Sequence, residues 1–300
     1  MATITATDVK ALRDRTGAGM MDCKAALTEA NGDMDEAITI LRKKGMAQVA
    51  KKAGRAMKEG LVAVRLNADA TDGVVAEVNC ETDFVARTPG FQALVQSVTA
   101  DLLAAPSTED PQVLAAADGP VGQKVAEKIA TTGENMAITR AARITSDGLV
   151  GSYLHAPAGA EGGEAVGGKI GVLVELQGVP AAARTSDAVK ALVRELAMQI
   201  AAASPSYATR EEVPASVIEQ EKNIYRAQME NSGKPANVIE KIVEGKLGSY
   251  YGVAVLPDQP SIRDPKMSVA DVLAASNKAL GAKVGITRFA RLKVGEAASA

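Results

Sequence analysis

Over the first 45 residues, apolar positions recur at helical spacing and are interrupted by turn residues. Val9 and Leu12 follow a Thr5/Asp8 capping pair, and Gly17-Ala18-Gly19 ends that stretch. A second helix begins at Met20 and carries Cys23, Ala26, Leu27 and Ala30 on one face. Asn31-Gly32-Asp33 then supplies a turn and an N-cap, and Ala37, Ile38 and Leu41 mark a third helix closed by Gly45. From Gly60 the pattern becomes that of strands. GLVAVRL, a turn at NADATDG, and GVVAEVNC predict an antiparallel hairpin. A helix at 89–104, a Pro- and Asp-rich connection at 105–120, a helix at 121–131, Gly133-Glu134-Asn135 and a strand at 136–145 follow.

After Asp147 a similar order begins again. GLVGSYLH and KIGVLVELQG are strands joined by a Gly- and Ala-rich loop at 156–168, and SDAVKALVRELAMQIAAAS is an amphipathic helix capped by Ser186 and stopped by Pro205. Later come a strand near 253–256, a helix at 268–279 capped by Ser268, and a last strand at 283–294. This is an α+β order with two related halves packed side by side, each with an antiparallel sheet. Between them, Val217, Ile218, Ile224, Tyr225 and Met229 form one narrow stripe, and Ile239, Ile242, Val243 and Leu247 form another beyond a Gly233-Lys234-Pro235 turn. Two such stripes predict an inserted antiparallel helical hairpin whose seam needs a partner surface. The expected units are 1–54 (helical bundle and linker), 55–145 (first half of a core), 146–206 with 251–300 (second half) and 207–250 (hairpin).

Composition narrows the class. Three hundred residues, 47% hydrophobic and 23% charged, suit a soluble globular protein of two or three domains. No apolar run approaches the roughly 20 residues needed to span a bilayer. MATITATDVK has neither the basic start nor the apolar core of a secretory signal, and two cysteines make no disulfide framework, so a reducing, cytoplasmic setting is expected. Residues 1–58 hold eleven Lys/Arg against seven Asp/Glu, a net +4, in a chain of net −2. The rest is therefore near −6, which argues against general nucleic-acid binding. The seven basic residues from Arg42 to Lys58, with no acid among them, read as a solvated linker helix, because no aromatics are interleaved to stack on bases.

No catalytic constellation stands out. Gly17-Ala18-Gly19 lacks the following GKS or GKT of a phosphate loop, and His155, the only histidine, has no Ser or Cys beside it in a nucleophile motif. Cys23, Cys80 and His155 are too few and too far apart for zinc. No cofactor is called for. The stretch that draws attention is EVNCETDFVARTPGF at 77–91, where a strand stops at Glu81-Thr82-Asp83 and offers Phe84 and Val85 on a short connection. Phe84 is one of three Phe in a chain with no Trp. The residues alone leave two readings open, a core Phe beside a turn-capping Asp or a binding group on a loop. Met20 and Met21 are adjacent, so at least one is exposed, and flexible Met suits an adaptable contact surface.

LRDRTGAGMMDCKAAL at 12–27 and EVNCETDFVAR at 77–87 closely resemble the two signature stretches of the bacterial elongation factor Ts family. GSYLH at 151–155, the GKP-turned hairpin and the closing ITRFARLKVGE match in order and approximate spacing, so the resemblance covers essentially the whole chain. It implies a ubiquitin-associated-like three-helix bundle, a core of two similar α+β halves and an inserted coiled coil used for dimerisation. It also implies a guanine-nucleotide exchange factor of elongation factor Tu, working without bond-making or bond-breaking. On that resemblance Asp83 and Phe84, within Thr82–Val85, would intrude near the partner's magnesium and phosphate site. Arg13, Met20 and Met21 would touch its GTPase domain, and His155 would face another of its domains. No direct nucleic-acid or membrane partner is implied, and the hairpin could pair with a second copy, giving a homodimer or a 2:2 complex. Two features depart from the family pattern: the chain stops after Val294-Gly295-Glu296, where many members add a helix that touches the partner, and the 156–168 loop resembles an insertion directly after His155. The competing readings are a non-catalytic adaptor using the small bundle, which leaves Thr82–Val85 without a task, and a metabolic enzyme, which no motif supports.

Overall fold

The structure, a computed structural model, describes residues 4–52, 54–116, 119–155, 166–229 and 232–297. Most of the Gly- and Ala-rich loop expected at 156–168 therefore lies outside the described residues, as do the first three residues of the amino-terminal stretch and the last three of the chain.

Thr5 and Asp8 form a reciprocal capping box, with the Thr5 N–H donating to Asp8 Oδ2 (2.9 Å) and the Asp8 N–H to Thr5 Oγ1 (3.3 Å). It starts α1 (Ala6–Thr16), which Gly17 ends in the left-handed region. With α2 (Met20–Glu29) and α3 (Met34–Lys52) it encloses a small core of Val9, Leu12, Cys23, Ala26, Leu27, Ala30 and Ala37. The predicted face of α2 is thus the buried one.

The first half of the core follows in the order β1 (Glu59–Leu66), β2 (Asp72–Cys80), α4 (Asp83–Ala86), α5 (Pro89–Ala104), α6 (Pro111–Ala115), α7 (Gly122–Thr132) and β3 (Met136–Thr145). The second is β4 (Leu149–His155), β5 (Ile170–Gln177), α8 (Asp187–Ala203), the inserted α9 (Ala215–Met229) and α10 (Ala236–Ala254), then α11 (Val269–Leu280) and β6 (Gly285–Lys293). Each half builds one antiparallel three-stranded sheet, in the orders β1-β2-β3 and β4-β5-β6. The class is α+β, with helices and antiparallel sheets segregated as expected.

The period of two along the central strands explains why they are apolar almost throughout. Val74, Ala76 and Val78 of β2 pack with Phe91, Leu94, Val95 and Val98 of α5. In β5, Val172, Val174 and Leu176 pack with Val189, Leu192, Leu196 and Ile200 of α8. The alternate residues, Val75 and Leu173, meet each other between the sheets with Val62, Ile144, Val150 and Leu292. Both faces of each sheet are covered.

That sheet-on-sheet core has a quasi-two-fold logic. Glu77 lies opposite Arg140 at a bulge after residue 77, and Glu175 lies opposite Arg288 at a bulge after residue 175. Arg140 Nε donates to Glu77 (2.7 Å) and Arg288 Nε to Glu175 (2.6 Å). Each arginine then crosses to the other half, Arg140 to the Lys293 carbonyl (2.5 Å) and Arg288 to the Thr145 carbonyl (2.7 Å). The same register makes Asn79 and Gln177 equivalents, each donating to its own half's glutamate at 3.0 Å. Burial pushes the Glu175 carboxyl up, but bonds from Ser146, Arg288 and Gln177 outweigh it and hold the group below its usual range.

Three expectations need correction. The third helix does not close at Gly45 but runs on to Lys52, because a helical glycine costs only about 1 kcal/mol and the extension packs against α7. No strand forms at 253–256. α10 continues to Ala254, and Val255 makes a single parallel bridge to Tyr207 before a 3-10 turn at Leu256–Asp258. The 105–120 connection also contains a short helix, α6, started by Asp110 and Pro111. In the hairpin, Val243 and Leu247 are buried whereas Ile224 and Val238 remain exposed, so part of the predicted stripe is uncovered. No described helix is long and apolar enough to cross a membrane.

Candidate functional site

The most exposed large apolar side chain of the first half lies on the connection from β2 to α5. The strand ends at Cys80, and Thr82 caps a single helical turn, α4, by accepting the Val85 N–H on Oγ1 (3.3 Å). Six residues after Thr82, Thr88 caps α5, with Pro89 in its first turn. Between the two caps the chain projects Phe84, which is 80% exposed, while Ala86 anchors the turn in the core. The turn is thus a helical finger and not the plain reversal expected at Glu81-Thr82-Asp83. Asp83 forms an i,i+4 ion pair with Arg87 (2.9 Å), so its carboxylate stays at the outer surface. Val85 is half-buried and packs toward the core. Of the two readings of Phe84, the core residue is excluded.

The finger is braced from behind. The Thr82 N–H and hydroxyl both donate to Glu134, at 3.1 and 2.7 Å. Glu81 accepts from the Asn135 N–H (2.6 Å) and from Arg55 (3.3 Å), while Asn135 Nδ2 donates to the Arg55 carbonyl (3.1 Å). The Asn135 bond, helped by Arg55, holds the Glu81 carboxyl below its ordinary value. Cys80 donates its thiol to the Thr82 carbonyl (3.1 Å). Burial, and secondarily the negative charge of Glu134, pushes that thiol up to about 11, so it is protonated at neutral pH.

Met20 (52% exposed) and Met21 (74%) both project from the start of α2, and Arg13 is exposed on α1 with no ion pair among the described residues. A side-chain carbon at Gly17 would lie 3.7 Å from Thr131, and one at Gly90 would lie 2.5 Å from Lys128. Helix α7 thus lies beside both the loop between α1 and α2 and the first turn of α5. His155 sits apart, exposed at the end of β4 on the second sheet, with Nδ1 3.0 Å from the Tyr153 hydroxyl. Its carbonyl accepts from the Lys169 N–H, and Lys169 reaches Glu59, the β1 residue opposite Cys80. The structure therefore places Thr82, Asp83, Phe84 and Val85 in one finger, leaves Arg13, Met20 and Met21 exposed on the helical bundle, and sets His155 at the end of β4 on the second sheet.

Sequence reasoning missed Glu134, Asn135 and Arg55, all polar residues next to a glycine turn or in a linker. The available signal was a Glu directly after Gly133, where a strand start has no need of an acid. An open groove of about 550 Å³ between β4 and α8 is lined by Tyr153, Arg184, Lys190, Val193 and Arg194 among others, and among the described residues no acid, imidazole or thiol lines it. Among the described residues no three His, Cys, Asp or Glu side chains gather as a metal site.

The profile of the family described as Elongation factor TS matches residues 81–296. The chain is 43% identical to elongation factor Ts of Trichlorobacter lovleyi over 98% of its length and 93% of that protein's. It is 41% identical to that of Desulfovibrio desulfuricans (98% and 99%) and 43% identical to that of Nautilia profundicola (99% and 94%). The match with each relative runs through the bundle, the finger and both sheets, and the chain belongs to the elongation factor Ts family of translation elongation factors.

Proposed function

We propose that the protein promotes release of GDP from elongation factor Tu, and that the finger at Thr82–Val85 is the part that loosens the nucleotide. The observation that carries this reading is Phe84, a large ring 80% exposed on a turn capped and braced on its inner side. An exposed aromatic held rigidly is a contact group, because it gives up little conformational freedom when it is covered.

A GTPase holds GDP through backbone donors, a lysine and a magnesium ion that links phosphate to protein. A ring pressed beside that loop, with the Asp83 carboxylate brought near the ion's water shell, weakens the grip without breaking a bond in the nucleotide. The reaction therefore needs no nucleophile or general base from this chain. Coupling is reciprocal: a factor that lowers nucleotide affinity tenfold, about 1.4 kcal/mol, is itself bound tenfold more weakly when nucleotide is present. Rebinding of GTP then displaces the factor. In this reading Arg13, Met20 and Met21 seat the bundle on the GTPase domain, His155 meets a second domain of the partner, and the exposed Ile224/Val238 side of the 207–250 hairpin is available to a second copy. The units 1–54, 55–145, 146–206 with 251–300, and 207–250 divide these tasks in the cytoplasm.

The test is stopped-flow release of labelled GDP. Phe84→Ala and Asp83→Ala are expected to fold normally and to slow release at least about tenfold, or 1.4 kcal/mol. Unchanged rates in both would show that the finger is not the wedge.

A further inference from the structure

Glu134 follows the glycine that ends α7, is partly buried, and its carboxylate takes both hydrogen-bond donors of the residue on which the finger pivots. Thr82 gives its N–H to Oε2 and its hydroxyl proton to Oε1. With that proton committed, Thr82 Oγ1 is left as an acceptor aimed at the Val85 N–H, and this bond caps α4. An unrestrained threonine side chain samples more than one staggered rotamer. A helix of four residues has too few internal bonds to hold itself. The direction in which Phe84 points is thus set by a cap whose orientation is set by Glu134.

The second half of the molecule serves as an internal control. Strand register makes β5 the counterpart of β2, and both lead through a short turn to a capped helix, Thr88 before α5 and Ser186 before α8. The finger's counterpart is a 3-10 turn at Ala181–Ala183 following Pro180, so Ala182 stands where Phe84 does. Gly281 ends α11 in the left-handed region as Gly133 ends α7, and the next residue is Ala282 where the first half has Glu134. The connection therefore forms without a carboxylate from the following strand. The acid is present only in the half that carries the ring.

We infer that Glu134 is a positioning residue for the finger, fixing the Thr82 rotamer and through it the orientation of α4 and Phe84, without itself touching the partner. The inference rests on the exchange reading above, and its test separates the two. In the free full-length protein, hydrogen–deuterium exchange over residues 83–87 is expected to quicken at least tenfold in Glu134→Ala while β2 and α5 keep wild-type protection. In GDP release measured against factor concentration, Glu134→Ala is expected to lower the limiting rate about tenfold with the half-saturating concentration within twofold of wild type. A loss of fold alone would not produce that split. Glu134→Gln, which keeps one acceptor oxygen, is expected to fall between and serves in place of Glu134→Ala if the alanine variant is not native by circular dichroism. Adding Glu134→Ala to Phe84→Ala is expected to cost nothing further. A limiting rate within twofold of wild type, with Phe84→Ala still slow, overturns the role of Glu134 and leaves the wedge standing. Unchanged amide exchange over 83–87 overturns it as well. A normal rate in Phe84→Ala removes the role of the ring and this inference with it, and normal rates in both Phe84→Ala and Asp83→Ala remove the wedge.

Discussion

The two halves of the core are built on one plan and differ where they meet the outside. Both carry a central strand with a glutamate at a bulge, an opposing arginine that crosses to the other half, and a capped helix lying on the sheet. After that strand the first half writes Glu81-Thr82-Asp83-Phe84-Val85 and the second Val179-Pro180-Ala181-Ala182-Ala183. The scaffold needs only a turn at this point. The acid, the ring and the bracing hydrogen bonds of the first half therefore exceed what this turn requires for folding, which is the ground for proposing a function for them.

The comparison can be broken in order of effect. The largest change is expected from removing the duplicated carboxylates. Glu77 is 2% exposed and its partner Arg140 is 17% exposed at the side chain, so Glu77→Ala strands a buried charge and should cost about 3–5 kcal/mol in urea denaturation. Arg288 is 51% exposed and can turn to water, so Glu175→Ala should cost about 1–2 kcal/mol. Equal losses would show that the two pairs are energetically interchangeable despite their different burial.

A smaller effect concerns acid. The Glu175 carboxyl is held below its ordinary value in the folded protein, so its contribution is present above the unfolded value, about 4.3, and is lost as pH falls through the lower folded one. Between pH 5 and pH 3 the stability of Glu175→Gln should thus decline less steeply than that of the wild type. A parallel decline would remove Glu175 from the acid response.

The smallest effect sharpens the functional contrast. Ala182 is exposed, so Ala182→Phe should change stability by less than about 0.5 kcal/mol. In a Phe84→Ala background it should restore no GDP release, because the second turn lacks both the acid and the brace. Recovery of exchange would mean that an exposed ring anywhere on the core suffices.

Most of the fold was legible in the chain because its cues are local. Thr5/Asp8, Ser186 and Ser268 all cap the helices they announce. The apolar β-type runs of β1, β2 and β5, bounded by turn residues, predicted the strands. What could not be read was decided by tertiary contact. Gly45 looked like a stop until α7 offered α3 a surface, and 253–256 looked like a strand because Val253, Val255 and Leu256 are apolar, although Val253 turns out to be exposed at the end of α10. The finger was located by its residues, but its exposure was not decidable from them. Glu134 escaped notice because its partner Thr82 is 52 positions away in the chain.

The crossed arginines also bear on synthesis. The carbonyl that Arg140 reaches belongs to Lys293, and the Gly295 N–H donates to Glu77 at 2.8 Å. While the polypeptide is still leaving the ribosome, the half with the finger has an arginine waiting for a carbonyl 153 residues further on and a glutamate waiting for an N–H 218 residues further on. The Glu77–Arg140 pair itself can form within the first half, whereas the two bonds that tie it to the second half must await β6 and the turn after it, so docking of the halves trails the folding of the first.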